Sequence, residues 1–582
     1  GGDNFSAALP VQELNGNRQS ERIDLWDVCP GSGAMHRQAC AVACALMNGN
    51  KTAQFVRINP GGSSEGGGIL DHVHRARAST LRTLDISGVG LGDRGGSRFF
   101  QTLMEGKGGF LSSLHLGDNQ LRDAAVGPLI VEALRSDICN IISLDLQNNL
   151  IGGPVITQAI KFNKSLTSLD IRGNPIDDDG LWLIGGLLLE EDCPCHLRSI
   201  ATYAFEIKGD QTSMSLQDQS LEAGAVRSLF GVLKFNDSIT ELDLSGTGIA
   251  TSAATDLALA LQANQKLKVL DLSRNPLSNV TEYANPNPNV KEDKALKSDT
   301  KGIVALANAV RSSATLETIT LEGGKLPVIQ LKGLNAKVKA LDLSRRSLTF
   351  LSAHVIGVLL AGNSSITELT LHSNELTPIG AKMIVERLSS SIKNLDLANS
   401  MRVEERSKDG KKGDKKDQRS SVVLSSSTAA TVDFPVAQLE DLWSAVVKLG
   451  SLEKLLMDRD QLEELSSLGS LTLLKTLSLS NNKLTTLPED LHLVRGLKVF
   501  SVHGNRLTEL PSCIGQLHSL EKLDIRNNQL KCLPTSISQL KSLKILDAAE
   551  NLIVSLEPSI CDLMAVERFE LKENPLQKPP AA

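Results

Sequence analysis

One pattern of apolar and polar positions recurs along most of the chain. Segments that alternate as L-x-x-L-x-L-x-x-N-x-L include LRTLDISGVGL at 81–91, LSSLHLGDNQL at 111–121 and LEKLDIRNNQL at 520–530. The L-x-L alternation predicts a short strand, because side chains two residues apart lie on one face of a strand. The polar residue between the two apolar ones is then expected on the opposite face. Each copy of the pattern therefore predicts one strand.

The segments between the strands predict two kinds of connection. In the first part of the chain, copies begin 28 residues apart, as at Ile239 and Leu267, and the intervening ATDLALALQANQ has the apolar spacing of a helix. In the last part, copies begin 23 residues apart, as at Leu474 and Leu497. A proline recurs in these shorter connections, where it fixes φ and prevents a long helix. These prolines are Pro488, Pro511 and Pro534.

An asparagine follows most of the predicted strands, where the chain has to turn. Its amide offers donors and an acceptor to backbone groups that the turn and the neighbouring coil leave unpaired. We therefore expect a structural role for these asparagines, which are Asn119, Asn149, Asn174, Asn275, Asn374, Asn482, Asn505, Asn528, Asn551 and Asn574.

The repeated pattern resembles that of leucine-rich-repeat proteins. The first part is similar to repeats of the ribonuclease-inhibitor type, which also occur in RanGAP-like and NLR proteins. The last part resembles the repeats of Ras-suppressor-like and plant intracellular Ras-group proteins. The resemblance implies an α/β solenoid, a horseshoe with a parallel sheet on its concave side. Helices are expected on the convex side of the first part, and shorter Pro-led coils in the last part.

Interruptions of the pattern divide the chain into segments. The steps after Leu197 and after Leu267 are longer than one repeat, and the second holds a polar loop at 278–300. A third interruption, where the repeat type changes, is charged and then helix-like. We predict an N-terminal cap at 1–52, ribonuclease-inhibitor-type repeats at 53–401, a charged flexible insertion at 402–434, and a junction helix with 23-residue repeats at 435–582.

The polar strand residues predict a binding surface on the concave face. In the first part, seven of these residues are aspartates: Asp85, Asp145, Asp170, Asp243, Asp271, Asp342 and Asp396. Two interpretations stay open, a solvated face common in such repeats and an acidic strip that selects a basic partner. Arg172, Arg274 and Arg345 follow three of the aspartates and are expected to offset their charge in part. His372 and His503 are placed on the same face.

Further candidates for partner binding lie later in the chain. In the short repeats, Lys475, Lys498 and Lys544 are expected to contribute a mixed-charge surface with intervening glutamates. The charged insertion holds Lys411, Lys412, Lys415 and Lys416, which we interpret as part of a solvated loop or as a site for an anionic partner. The last repeat has Phe569, Leu571 and Leu576, whose apolar side chains are expected at an open end that a partner or the following Pro-containing tail covers.

Composition and charge narrow the function classes. The 582 residues carry 61 Lys and Arg against 67 Asp and Glu, a formal net charge of -6, and aromatic residues are 3%. This balance predicts no nucleic-acid partner. The nine cysteines are odd in number and lack the spacing of a disulfide framework. With no leader and no apolar run of about 18 residues, an intracellular, cytoplasmic protein without a membrane span is expected.

Two groups of potential metal ligands are interpreted as packing residues. His36, Cys40 and Cys44 lie four residues apart on a predicted helix, with Cys29 upstream. Their surroundings, ACAVACALM, have the small side chains of a helix packing face. Cys193-Pro-Cys195 lacks the C-x-x-C spacing of a redox or zinc site. We predict no metal and no cofactor.

The function predicted from these features is a non-enzymatic scaffold that binds other proteins. The sequence has no G-x-x-x-x-G-K-[ST] phosphate loop and no H-E-x-x-H zinc motif. The concave face and the last repeat would bind partners within a larger intracellular assembly, and resemblance to axonemal proteins suggests a cytoskeletal or ciliary one. The alternative hypothesis, suggested by the RanGAP and Ras-group resemblances, is a regulator or effector of a small GTPase.

Overall fold

The computed structural model describes residues 11–14, 18–25, 50, 52–58, 80–107, 109–137, 139–277, 295–322, 324–401 and 436–577. The chain forms two compact units. Unit 1 falls within Gly1–Val269 and Ser313–Thr315, and unit 2 within Leu270–Ser312 and Leu316–Ala582.

Unit 1 is built on a sheet of short strands. These are β1 (Arg22–Asp24), β2 (Phe55–Arg57), β3 (Thr83–Asp85), β4 (Ser113–His115), β5 (Ser143–Asp145), β6 (Ser168–Asp170), β7 (Ser199–Ala201) and β8 (Glu206–Ile207). The strands lie in chain order and are parallel except for β8, which is antiparallel to β7. The middle residue of each parallel strand, such as Leu84 or Leu114, is fully buried, as the L-x-L alternation predicts. Two further parallel strands follow, β9 (Ser213–Ser215) and β10 (Glu241–Asp243), and β11 (Val269–Asp271) spans the boundary between the units.

Helices connect most of the strands of unit 1. They are α1 (Val11–Leu14), α2 (Gly92–Thr102), α3 (Asp123–Arg135), α4 (Gly153–Phe162), α5 (Asp178–Leu189), α6 (Ala223–Leu233) and α7 (Ala254–Ala263). From α2 onwards, consecutive helices pack against each other. The α5–α6 contact is close because glycines lie in it: a Cβ on Gly185 would meet the Arg227 backbone at 2.5 Å. The helices bury the apolar side chains that the three- and four-residue spacing assigns to one face.

Unit 2 has a hairpin followed by a longer parallel sheet. The hairpin strands are β12 (Thr318–Leu321) and β13 (Gly324–Pro327). Nine parallel strands then follow in chain order: β14 (Ala340–Asp342), β15 (Glu368–Thr370), β16 (Asn394–Asp396), β17 (Lys454–Leu456), β18 (Thr476–Ser478), β19 (Val499–Ser501), β20 (Lys522–Asp524), β21 (Ile545–Asp547) and β22 (Arg568–Glu570). The helices are α8 (Ala295–Ser312), α9 (Val328–Leu331), α10 (Phe350–Leu360), α11 (Thr377–Val385) and α12 (Val436–Val446).

The connections change type where the prolines begin. After β18, each return segment is a single 3-10 turn: Glu489–Leu493, Ser512–Gln516, Thr535–Gln539 and Pro558–Asp562. Pro488, Pro511 and Pro534 immediately precede the first three turns, with φ of -69, -63 and -64°. This arrangement of parallel strands, helices and Pro-led turns confirms the predicted α/β solenoid class.

The asparagines form a buried ladder across the repeats. Asn482 shows the pattern, because its Nδ2 donates to the carbonyls of Met457 and Leu479 at 2.8 and 2.9 Å. Its Oδ1 accepts the backbone N–H groups of Asp460 and Leu462 at 2.9 and 3.1 Å. One side chain thus satisfies its own turn and the preceding repeat. Asn119, Asn149, Asn174, Asn374, Asn505, Asn528, Asn551 and Asn574 make the same kinds of bond.

The structure differs from the sequence-based segments at three places. Strand β1 lies inside the predicted cap, since Ile23 is buried and pairs in parallel with Val56. The long step after Leu197 contains the β7–β8 hairpin and then β9, a strand that the pattern did not identify. Residues 295–300, predicted as loop, are the first turns of α8. The helix α12 lies where a junction helix is predicted, and the insertion predicted at 402–434 lies outside the described residues.

Candidate binding surface

The last residues of the unit 1 strands form a row on the exposed face of the sheet. The backbone register places them side by side in the order Asp24, Arg57, Asp85, His115, Asp145 and Asp170. The side chains of Asp85, Asp145 and Asp170 are 17, 15 and 19% exposed. Unit 1 therefore has a row of polar side chains on one face of its sheet, with carboxylates that are mostly buried.

Basic residues lie between several of the aspartates of this row, and the choice between a solvated face and an acidic strip that selects a basic partner stays open. Arg57 lies between two carboxylates, 3.9 Å from Asp24 and 3.3 Å from Asp85. His115 Nδ1 lies 3.4 Å from Asp145 Oδ2. Because neighbouring strands are about 4.8 Å apart, these basic residues replace the repulsion that adjacent aspartates would have, except between Asp145 and Asp170, which are direct neighbours.

His115 is also hydrogen-bonded along its own strand. Its Nε2 lies 3.3 Å from Ser113 Oγ, which completes a chain from Ser113 through His115 to Asp145. The hydrogen bond to Asp145 raises the pKa of His115 against the opposing effect of its burial, and the charges of Asp85 and Asp170 raise it further. The arrangement favours an imidazolium that donates to both neighbours.

The three predicted arginines behave differently from one another. Arg172 folds back on its own strand, with Nε 3.1 Å from both carboxylate oxygens of Asp170, and this hydrogen bonding raises the pKa of Arg172. Arg274 and Arg345 come three residues after their aspartates rather than two, and their backbone is left-handed, with φ of 58 and 55°. Both are exposed. Arg172 therefore offsets the charge of Asp170, the strand aspartate of its own repeat.

Most strand aspartates also have a structural role. The Oδ1 atom accepts the backbone N–H two residues further on, where the strand turns into the connection. This bond is 3.0 Å from Ser87 to Asp85, 2.9 Å from Gln147 to Asp145, 3.0 Å from Arg172 to Asp170, 2.9 Å from Ser245 to Asp243, 2.8 Å from Ser273 to Asp271, 2.9 Å from Ser344 to Asp342 and 3.0 Å from Ala398 to Asp396. The frequency of aspartate at this position therefore has a backbone explanation that requires no partner.

In unit 2 the aspartates lie in contrasting surroundings. Asp342 is exposed, and hydrogen bonds from Ser344 lower the pKa of its carboxyl. Asp396 lies two strands away in the same register, and burial raises its pKa. His372 lies near both carboxyls and its ring Nδ1 is 3.1 Å from Ser373 Oγ. These two aspartates do not form a uniform charged strip.

The lysines of the short repeats lie at the start of the strands. Lys475, Lys498 and Lys544 each immediately precede the first residue of a strand. We define the lysine row as Lys393, Glu453, Lys475, Lys498, Glu521 and Lys544, which occupy this position in six successive repeats. His503 follows its strand and is half-buried.

The apolar residues of the last described repeat are more exposed than their counterparts. Phe569 and Leu571 are half-buried and Leu576 is 41% exposed, whereas Leu546 and Ala548, one repeat earlier, are fully buried. Met564, which the sequence analysis did not single out, is 92% exposed. Apolar side chains are thus accessible in this repeat, and their covering by a partner stays a prediction.

Several candidate residues lie elsewhere. Lys411, Lys412, Lys415 and Lys416 fall outside the described residues, as do Cys29, His36, Cys40 and Cys44. Cys193 and Cys195 are buried, and burial raises the pKa of the Cys195 thiol to about 12. Across the described ranges, no three His, Cys, Asp or Glu side chains are grouped so as to hold a metal ion. No helix in those ranges has the length and apolar character needed to cross a membrane.

Comparison with known proteins identifies the repeats. Leucine-rich-repeat family models match residues 77–100, 162–184, 263–280, 473–493 and 495–553. Leucine-rich repeats are therefore present in both the first and the last part of the chain.

Its N-terminal half carries repeats like those of ribonuclease inhibitor. The ribonuclease inhibitor of Mus musculus is 26% identical over 312 residues, which cover 48% of this chain and 68% of that protein. The one of Sus scrofa is 25% identical over 316 residues, with the same shares covered. NACHT, LRR and PYD domains-containing protein 13 of Homo sapiens is 25% identical over 297 residues, 48% of this chain and 24% of that protein. A solved Leptospira interrogans LRR protein matches 87% of each chain, with 22% identity and a TM-score of 0.31.

Sequence reasoning missed two members of the unit 1 row, Arg57 and Asp24. Arg57 belongs to the degenerate copy AQFVRI at 53–58. Val56 and Ile58 on either side of it are buried, so the alternation places Arg57 on the opposite face of the strand. Asp24 follows Ile23 in the short segment RIDL, where an asparagine is missing from the pattern. Aligning the copies by strand register, rather than by the full eleven-residue pattern, would have identified both.

Proposed function

We propose that the protein is a non-enzymatic scaffold that binds other proteins through the exposed faces of its sheets, as one component of a larger intracellular assembly. The observation that carries the proposal is the hydrogen-bonded register within each sheet. It fixes rows of polar and charged side chains about 4.8 Å apart over many strands. Such a preordered surface loses little conformational entropy on binding. The likeness to ribonuclease inhibitor, a protein named for binding another protein, supports the same conclusion.

The proposal is tested by cross-linking mass spectrometry on native extract. We expect one recurrent protein to be cross-linked to lysines of the described repeats, and the absence of any recurrent neighbour would contradict the proposal. A cytoskeletal or ciliary setting predicts that this neighbour is a component of such an assembly. The alternative, a small-GTPase regulator, predicts retention of a GTPase that depends on bound GTP.

The contribution of the sheet face is tested with paired variants of unit 1. Ser143→Arg with Ser168→Arg adds two bulky cations to adjacent strands on the exposed face. Ala124→Arg with Gln158→Arg adds the same charge at exposed positions of the helices. We expect the first pair to abolish the recurrent cross-links of unit 1 and the second pair to preserve them. Equal loss in both would contradict binding through the face.

A further inference from the structure

The lysine row is held in register by the backbone. Each member donates its N–H to the carbonyl of the preceding member: Glu453 to Lys393 and Lys475 to Glu453 at 2.7 Å, and Lys498 to Lys475, Glu521 to Lys498 and Lys544 to Glu521 at 2.8 Å. The six side chains therefore leave one edge of the sheet at regular intervals, on successive rungs of a ladder.

Ion pairs divide this row into two equal groups of three. Glu453 is bridged by Lys393 and Lys475, with Nζ–Oε distances of 2.8 and 2.5 Å. Glu521 is bridged by Lys498 and Lys544, with distances of 2.9 and 3.3 Å. Hydrogen bonds from Lys393 and Lys475 lower the pKa of Glu453 to about 2. Hydrogen bonds from Lys498 and Lys544 likewise lower the pKa of Glu521. Each group has two cations and one anion.

The two groups meet at a pair of adjacent cations. Lys475 and Lys498 lie on neighbouring rungs, and no acidic member of the row stands between them. Their side chains are 56 and 55% exposed and point to different glutamates. An ammonium group has three donors, and each of these two makes one described bond to a carboxylate. The alternation of charge along the row thus breaks at this point.

We propose that a carboxylate from an acidic segment of a partner protein binds between Lys475 and Lys498. It would bridge the two ammonium groups as Glu453 bridges Lys393 and Lys475, and so restore the alternation. Exposed Lys454 and Lys522, at the first positions of β17 and β20, add positive charge beside the row. This inference rests on the proposed protein-binding function and states the chemistry of the partner.

The test measures the binding of the full chain to a fluorescein-labelled octapeptide of alternating glutamate and serine. Binding is monitored by the fluorescence anisotropy of the peptide at low and high salt. Lys475→Gln with Lys498→Gln is expected to weaken binding about tenfold, the loss of charge-assisted hydrogen bonds. Lys393→Gln with Lys544→Gln removes the same charge from the outer lysines and is expected to weaken binding less than about twofold. A glutamine–serine octapeptide should not bind.

Three outcomes would overturn the proposal. The first is the absence of binding of the glutamate peptide at low salt, and the second is equal weakening by the two pairs of variants, which would indicate diffuse charge attraction. The third is tighter binding of a single-stranded oligonucleotide of matched charge, which would indicate a phosphate-bearing partner. None of these outcomes affects the cross-linking test, so a failure here is distinguishable from a failure of the scaffold proposal. Circular dichroism of each variant verifies that it is folded.

Discussion

Asn482 Oδ1 accepts the backbone N–H of Asp460 at 2.9 Å. The two residues hold equivalent positions in successive repeats, so that Asp460 has a carboxyl where Asn482 has an amide. Asp460 Oδ1 accepts the N–H groups of Ser400 and Met401 at 3.0 and 3.3 Å, as an asparagine Oδ1 would. Its Oδ2 therefore stands where the ladder has an amide NH2. That oxygen is buried and has no hydrogen-bond partner within the described part of the chain.

Asp460→Asn is expected to stabilise the protein, because an amide restores the missing donors. We expect a gain of about 1–2 kcal/mol near neutral pH, measured by urea unfolding. Asp458→Asn makes the same change of charge two residues away. Because the Asp458 carboxylate accepts bonds from Ser478 and Ser480 at 2.6 Å, this control should not be stabilising. Equal gains in both variants would point to general charge relief and contradict the specific role.

The stability of the wild-type protein should also depend on pH through Asp460. Burial raises the pKa of this carboxyl well above its usual value, with the charges of Asp458 and Asp396 adding to the effect. A raised pKa means that the folded state holds the proton more tightly than the unfolded state. The stabilising contribution is therefore complete below about pH 4 and is lost as the pH rises through the folded-state pKa. The stability gain of Asp460→Asn should grow over this range, and a gain independent of pH would contradict the assignment.

The asparagine ladder predicts a large loss on truncation. In Asn505→Ala, the Leu484 N–H loses its acceptor, whereas the Leu479 and Val502 carbonyls each lose one of two amide donors and keep Asn482 or Asn528. We expect a destabilisation of about 1–3 kcal/mol, the cost of one buried unsatisfied group. Gln529→Ala, at an exposed position of the next repeat, should change stability by less than about 0.5 kcal/mol. If Asn505→Ala left the free energy of unfolding unchanged, the asparagine ladder would contribute little to the stability of unit 2.

Close helix packing in unit 1 gives a further prediction. A Cβ on Gly224 would overlap the Asp178 carbonyl oxygen and approach Trp182 N at 2.8 Å, where α6 meets α5. Gly224→Ala is therefore expected to destabilise unit 1 by about 3 kcal/mol, the cost of overpacking at a rigid backbone contact. A Cβ on Gly209 would meet nothing within 4 Å, so Gly209→Ala should be close to neutral. Similar thermal unfolding of both variants would contradict the packing described here.

The strands and their buried faces could be predicted from sequence because the alternation has a period of two. Leu84 and Leu114 pair in register and are fully buried, as their positions in the eleven-residue pattern require. The prolines likewise predicted short turns, because a fixed φ is a local property. Strand β1 could not be recognised in the same way, since Ile23 and Leu25 keep the alternation without the leucine and asparagine that mark other copies.

The charge pattern of the surface was harder to predict, because it depends on which strands are neighbours in the sheet. Asp85 and Asp145 were identified as surface residues, but their neutralisation by Arg57 and His115 arises between copies that are far apart in sequence. Long-range register, rather than local pattern, decides which charges meet.

The chain of Ser113, His115 and Asp145 gives a test of the non-enzymatic proposal. Serine hydrolases use these residue types with a neutral histidine that accepts the serine proton. Here the bond to Asp145 and the charges of Asp85 and Asp170 raise the pKa of His115, which favours the protonated ring. We therefore expect that Ser113 does not react with a fluorophosphonate probe below about pH 6, where a histidine with a raised pKa is protonated and cannot accept the serine proton. Intact-protein mass spectrometry would detect the adduct.

A matched variant extends this test to stability. Because the His115 pKa is raised in the folded state, its contact with Asp145 stabilises the protein fully below about pH 6.5, and this contribution is lost as the pH rises through the raised value. His115→Gln keeps a hydrogen-bonding side chain but does not titrate, so the corresponding pH dependence of the unfolding midpoint should disappear. Labelling of Ser113 in the folded wild-type protein, absent in His115→Gln and after denaturation, would instead show a base-activated serine and contradict a purely binding role for unit 1.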